Sequence, residues 1–333
     1  MSWRSGNPVA NYIQFFRADE QFWPETPLKF GGREGGYARS VVTDGKGGAV
    51  LGWTSNPEPN VMRFNLFAQF LRADGTLGES LKIQENVLSL TPLMVSDGRG
   101  GAIFVWDSGS SAGKIFARFL TTEGTVSDII EIADEVSSGP VVVEDGKGGA
   151  IFSWTRRRMS GGGPGPLPPF QEGIFARFLK ADGSLWPKEM IEISKMISSP
   201  YIVSDSKAGA IFVWSSFSGD INTPLEFYGR FLRDDGSVWP DKPILIHSGK
   251  EVLGEAEIAL VEDGKGGALV VWGKSETGIY AKFLRTDGSV WPDKPILIHS
   301  GRITGIQTFF NLVGVPFSKD RSLINYIKDQ RIH

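Results

Sequence analysis

Residues 142–154 read VVEDGKGGAIFSW: three apolar or acidic residues, a five-residue turn, then a mostly apolar run closed by tryptophan. Asp145-Gly146 opens the turn and Gly148-Gly149 closes it. Glycine supplies positive φ without steric cost, and Asp caps such turns through its carboxylate. The same reading fits VVTDGKGGAVLGW (41–53), MVSDGRGGAIFVW (94–106), IVSDSKAGAIFVW (202–214) and LVEDGKGGALVVW (260–272). The turn aspartates Asp44, Asp97, Asp145, Asp205 and Asp263 therefore recur at intervals of 48–60 residues.

A second pattern follows each of these. IFARFLKADGSLW (174–186), FYGRFLRDDGSVW (227–239) and IYAKFLRTDGSVW (279–291) each read as strand, Asp-Gly turn, strand, with looser copies at 66–77 and 115–126. Two hairpins per repeat make one four-stranded antiparallel unit, the size of a propeller blade. The strand Ala102-Ile103-Phe104-Val105-Trp106 is apolar on both faces, as a strand buried between stacked sheets should be. The expected fold is an all-β, six-bladed β-propeller in a single domain, with blades near 40–83, 93–132, 141–193, 200–246 and 258–298. Residues 312–330 would complete the sixth blade together with 11–30, because 313–328 align without a gap to a half blade and 11–30 match the missing half. Joining the termini in one blade would remove unpaired strand edges.

Composition excludes several classes. The formal net charge of −3 and pI near 5.8 give no basic field for nucleic acid. There is no apolar run of membrane-spanning length. Cysteine is absent, which removes disulfides, thiolate metal sites and a Cys nucleophile. The first residues lack the apolar core of a signal peptide, so a cytoplasmic protein is expected unless a leader has been removed. A monomer is expected unless the chain belongs to an assembly.

The turns between strands one and two and between strands three and four share one face and are nearly uniform. The opposite face carries the connections that differ. After Trp154 comes TRRRMSGGGPGPLPPFQE (155–172), after Trp53 TSNPEPNVMRF (54–64), and after Trp214 SSFSGDINTPLE (215–226). Function on repeat scaffolds concentrates in variable loops on a rigid frame. The candidate ligand-binding residues are accordingly Arg156, Arg157 and Arg158, which form the chain's basic triplet, with Phe170, Arg63 and Asp107. Asp107 is the one acid among the residues that follow the five blade tryptophans. The 155–172 loop, expected to be extended and mobile, is the expected principal contact.

Other recurrent residues read as structural. The Asp-Gly turns lack the Asp-box spacing of sialidase-like propellers, since Asp287 directly precedes Gly288, and each offers one carboxylate where calcium needs several oxygens. A long polar residue recurs in strand three as Gln14, Gln69, Arg118, Arg177, Arg230 and Lys282. Some lectins grip sugars with such arginines. Charge matching instead suggests cross-strand pairs, Arg118 with Glu131 and Arg177 with Glu192. Trp23, Trp186, Trp239 and Trp291 precede proline and are expected to cover the outer hairpins. No phosphate loop, HExxH, GxSxG or His-carboxylate cluster is legible, so no catalytic residue, metal or cofactor is assigned.

The repeats resemble the Asp-Gly-x-Gly-Gly-Ala…Trp arrays of many bacterial proteins, often surface or secreted ones. The resemblance covers nearly the whole chain and implies a propeller, but transfers no site residue. The expected function is a non-enzymatic recognition or scaffold propeller that binds protein or glycan through the variable face. Two alternatives stand beside it: a polysaccharide-active hydrolase or lyase acting in a central funnel, and a structural component of a virion or surface assembly.

Overall fold

A computed structural model describes residues 2–5, 10–16, 22–31, 37–56, 63–88, 93–109, 113–136, 139–157, 171–216, 224–249, 257–274 and 278–300. The chain divides into two compact units, Met1–Ile191 and Glu192–His333. Among the described residues the secondary structure is entirely strand and turn.

In the first unit, sheet one contains β1 (Ser2–Ser5), β2 (Ala10–Phe16) and β3 (Phe22–Phe30). Sheet two contains β4 (Tyr37–Thr43), β5 (Ala49–Ser55), β6 (Phe64–Leu71) and β7 (Leu77–Val87). Sheet three contains β8 (Leu93–Ser96), β9 (Ala102–Asp107), β10 (Gly113–Leu120) and β11 (Ile130–Val136). Sheet four contains β12 (Val141–Glu144), β13 (Ala150–Arg156), β14 (Gly173–Leu179) and β15 (Leu185–Ser194), whose last residues cross the unit boundary.

The second unit holds sheets five and six. Sheet five contains β16 (Tyr201–Ser204), β17 (Ala210–Ser216), β18 (Leu225–Leu232) and β19 (Val238–Gly249). Sheet six contains β20 (Glu257–Glu262), β21 (Ala268–Lys274), β22 (Gly278–Leu284) and β23 (Val290–His299). Every sheet is an antiparallel meander, the blade architecture of the six-bladed propeller class.

The expected C-terminal half blade, residues 313–328, lies outside the described residues. At the N-terminus the structure corrects the expectation on one point. The edge of β2 assigned to a C-terminal strand carries β1, in register from Ser2 opposite Ile13 to Ser5 opposite Ala10.

Within each unit, sheets stack through their second strands. β5 and β13 are buried along their whole length, and Trp53, Trp154, Trp214 and Trp272 are almost entirely enclosed. Phe152, Trp154 and Phe175 of sheet four pack with Ile103, Val105 and Ile132 of sheet three. Each fully buried Ile or Phe contributes about 1.5–3 kcal/mol. Trp53 stacks on Phe67 across the strand pair at 5.6 Å, and Trp214 on Tyr228 at 6.4 Å.

The turns explain the glycines. Asp145 Oδ1 accepts from the N–H groups of Lys147 at 2.7 Å and Gly149 at 2.8 Å, and the other four turn aspartates do the same. A Cβ on Gly149 would lie 2.1 Å from the carbonyl oxygen of Leu179, an impossible approach. In sheet five the first and second glycines of the turn are replaced by Ser206 and Ala208, at φ 59° and 67°, but the third is kept as Gly209. That position, pressed against strand three, is the one that requires glycine.

The strand-three polar residues do not form the charge pairs expected from sequence. β-Bulges in the outer strands skip Ile83, Ile132 and Ile246, leaving their carbonyls turned out of the ladder. Arg177 Nη1 donates to the carbonyl of Ile132 at 2.8 Å and Nη2 to that of Lys188 at 2.7 Å. Arg230 donates to Ile193 at 2.8 Å and to Asp241, and Lys282 donates to Ile246 at 3.2 Å. Glu131 instead pairs with exposed Lys114, at 2.8 Å. Gln69 accepts from the N–H of Gly31 at 3.4 Å, a bond that arginine has no acceptor to make.

Candidate functional site

The variable connections leave the sheets at the C-terminal ends of the second strands. In the first unit these ends bring several charged groups to the region where sheet three meets sheet four. Asp107 is the last residue of β9 and half-buried. Its Oδ1 accepts from the N–H of Gly109 at 2.7 Å, which fixes the carboxylate. Its Oδ2 lies 3.9 Å from where a side chain on Gly139 would begin, beside the residues leading into β12.

Arg156 ends β13. The structure corrects its expected place on a mobile loop: it is only 7% exposed. Its guanidinium lies 5.7 Å from the centroid of Phe175, a cation–π arrangement, and Nη1 approaches the sulfur of Met190 at 3.9 Å. Burial lowers the pKa of Arg156 from its ordinary value, and the charge of Asp134 on β11 opposes that shift. The Arg156 stem thus packs as core while its charge faces an acid, where the equivalent positions of sheets two and five carry Ser55 and Ser216.

Lys114 and Glu131 lie on the neighbouring strands. Lys114 Nζ contacts both carboxylate oxygens of Glu131, at 3.0 and 2.8 Å. Its pKa is raised, by Glu131 first and by Asp134 as a weaker contribution. Asp134 therefore interacts with both the largely enclosed Arg156 guanidinium and Lys114 of the exposed ion pair, while Asp107 ends β9 of the same sheet. Such a set can position a polar ligand and exchange a proton with it.

The remaining sequence candidates divide. Arg157 is exposed directly after β13, and Arg63 is exposed directly before β6. Arg158 and Phe170, with most of the 155–172 loop, lie outside the described residues. Sequence reasoning missed Asp134 and Lys114. The available signal was the Asp134-Glu135 pair one residue after Ile130-Glu131-Ile132. Among the described residues no cluster of three or more His, Asp or Glu could hold a metal ion, and no helix is long and apolar enough to cross a membrane.

No protein-family model matches the chain, and no curated protein is significantly similar. Similar solved structures include a puromycin hydrolase, at 16% identity and TM-score 0.46, covering 76% of this chain and 38% of that one. The chain thus spans well under half of that enzyme. The Penicillium chrysogenum α-L-arabinanase complexed with arabinobiose is 12% identical with TM-score 0.42, covering 76% and 79% of the two chains. An α-L-arabinofuranosidase from Clostridium thermocellum is 13% identical with TM-score 0.39, covering 83% and 98%. Enzymes that act on carbohydrate recur among these structures, levansucrases included. Against the expected non-enzymatic recognition scaffold, the structures named here are enzymes. At these identities the likenesses speak to fold alone.

Proposed function

We propose that the chain is a polysaccharide-active enzyme, a hydrolase or lyase, whose site lies at Asp107 and draws on Asp134 and Arg156 of the same unit. The observation that supports this reading is the setting of Asp107. It breaks the repeat at the position after the blade tryptophan, accepts from the N–H of Gly109, and sets Oδ2 beside Gly139, ahead of β12. Asp107 would serve as the proton-transferring carboxylate. In elimination from a uronate, Arg156, whose stem is locked against Phe175, would stabilise the negative charge that develops as the proton is abstracted; in hydrolysis it would only orient the substrate. Hydrolysis calls for a second carboxylate about 5–9.5 Å away, the part given to Asp134.

The test is incubation of the purified protein with arabinan, levan and polygalacturonate. New reducing ends report hydrolysis, and ultraviolet absorbance of an unsaturated uronate reports elimination. Release by either route that disappears in Asp107→Asn supports the reading. Release unchanged by that substitution, or none from a broad polysaccharide panel, overturns it.

A further inference from the structure

The uniform face carries one cation in every described strand-one-to-two turn: Lys46, Arg99, Lys147, Lys207 and Lys265, all exposed. The turn carboxylates point the other way, consumed by main-chain N–H groups, and Asp97, Asp145 and Asp205 are buried. Within the first unit the turns stand side by side, because β4 packs against β8 and β8 against β12. The cations then run head to tail. Lys46 Nζ lies 3.5 Å from the Cβ position of Gly100, beside Arg99, and the Arg99 guanidinium lies 3.0 Å from that of Gly148, beside Lys147. In the second unit the Lys207 stem lies over Gly266 in the same way, its Cε 3.4 Å from the Cβ position. Packing over glycine accounts for long stems at these positions. It does not account for a positive charge at the tip of every one.

We infer that this turn face is a binding surface for an acidic polysaccharide, separate from the Asp107 cluster. The choice of a glycan rests on the proposed function; the surface itself does not. Spacing favours a sparsely charged polymer. Adjacent stacked sheets place one cation per step of about 10 Å, whereas duplex DNA carries a charge about every 1.7 Å. The acids on this face, Glu123 and Glu144 among them, would repel a densely charged strand. A uronate-bearing polysaccharide, with carboxylates spread along a neutral backbone, meets the cations one at a time.

The experiment measures binding of polygalacturonate by affinity electrophoresis in an Asp107→Asn background, which removes turnover. Neutral arabinan, duplex DNA and anionic phosphatidylserine vesicles are run beside it. The expected result is binding of polygalacturonate that weakens with salt and falls at least tenfold in Lys46→Gln/Arg99→Gln/Lys147→Gln. Arg99→Lys should retain it. The Gln stems still cover the glycines, and an unchanged melting temperature confirms folding. Equal binding by the triple variant, tighter binding of DNA, vesicles or arabinan, or no binding of polygalacturonate would overturn the inference. A triple variant that loses binding but keeps turnover in an otherwise native chain separates this surface from the catalytic proposal. Loss of the Asp107-dependent activity with binding intact leaves the surface standing alone.

Discussion

The guanidinium of Arg118 in β10 donates through Nη1 to the main-chain carbonyl of Ile83 in β7, at 2.6 Å. Ile83 is the residue skipped by a bulge, so a local defect in one sheet creates the acceptor that fastens the next. The device repeats from Arg177 to bulge-skipped Ile132, and Arg230 makes the equivalent bond to the carbonyl of Ile193. It makes the strand-three cation an inter-sheet clasp rather than a cross-strand ion pair or a sugar grip.

Replacing Arg177 by Met should therefore cost about 1 kcal/mol, the low end for leaving a partly buried carbonyl, that of Ile132, without its donor. Arg177→Lys should recover part of that through one of the two bonds. The double-mutant cycle of Arg177→Ala with Glu192→Ala should show no coupling, read from urea unfolding midpoints.

Gly149→Ala should destabilise by about 3 kcal/mol, at the upper end for forced overpacking, because its Cβ would lie 2.1 Å from the Leu179 carbonyl oxygen. Gly146→Ala meets open space and carries only backbone strain, about 1–2 kcal/mol. Relieving that strain by Ala208→Gly, at φ 67°, should be neutral or stabilising. Thermal melts of the three variants set the order.

Acid should weaken the fold through its second set of turns. Asp74, Asp182, Asp235 and Asp287 have pKa values below the ordinary 3.8, chiefly from hydrogen bonds donated by the Thr or Ser two residues on. A depressed folded-state pKa means that the unfolded chain takes up protons first as pH falls. The stabilisation is complete well above pH 3.8 and is lost below it, as pH falls toward the folded values. Asp182→Asn should reduce the steepness of that decline, measured as unfolding free energy between about pH 5 and 2.

Much of this was legible in the chain. The Asp-Gly-Lys-Gly-Gly turns and terminal tryptophans specify strand order and the buried second strands, because glycine and Asp each do one geometric job there. Trp186 and Trp239 do cover their hairpins, against Phe178 at 5.3 Å and Phe231 at 5.5 Å. The clasp was not legible. Its acceptor is a backbone carbonyl exposed by a bulge, which leaves no mark on residue identity, so the nearby Glu131 and Glu192 looked like the partners. The pairing of β1 with β2 was hidden for a related reason, since Ser2–Ser5 carries none of the repeat's signature. At the site, Asp107 stood out as a break in the repeat. Arg156 was misplaced because its Gly-Pro-rich neighbours suggested a loop, although Phe175 and Met190 enclose it.

The central claim is that Asp107 transfers a proton during cleavage of a polysaccharide, and chemical rescue tests it most directly. Asp107→Gly should lose about 10²- to 10⁴-fold in turnover, the usual contribution of a positioned acid or base. Added formate, a small carboxylate able to occupy the vacated space, should restore a measurable part of that rate in a concentration-dependent way, with folding unchanged. A folded Asp107→Gly protein that cleaves at the native rate, with or without formate, would contradict the account.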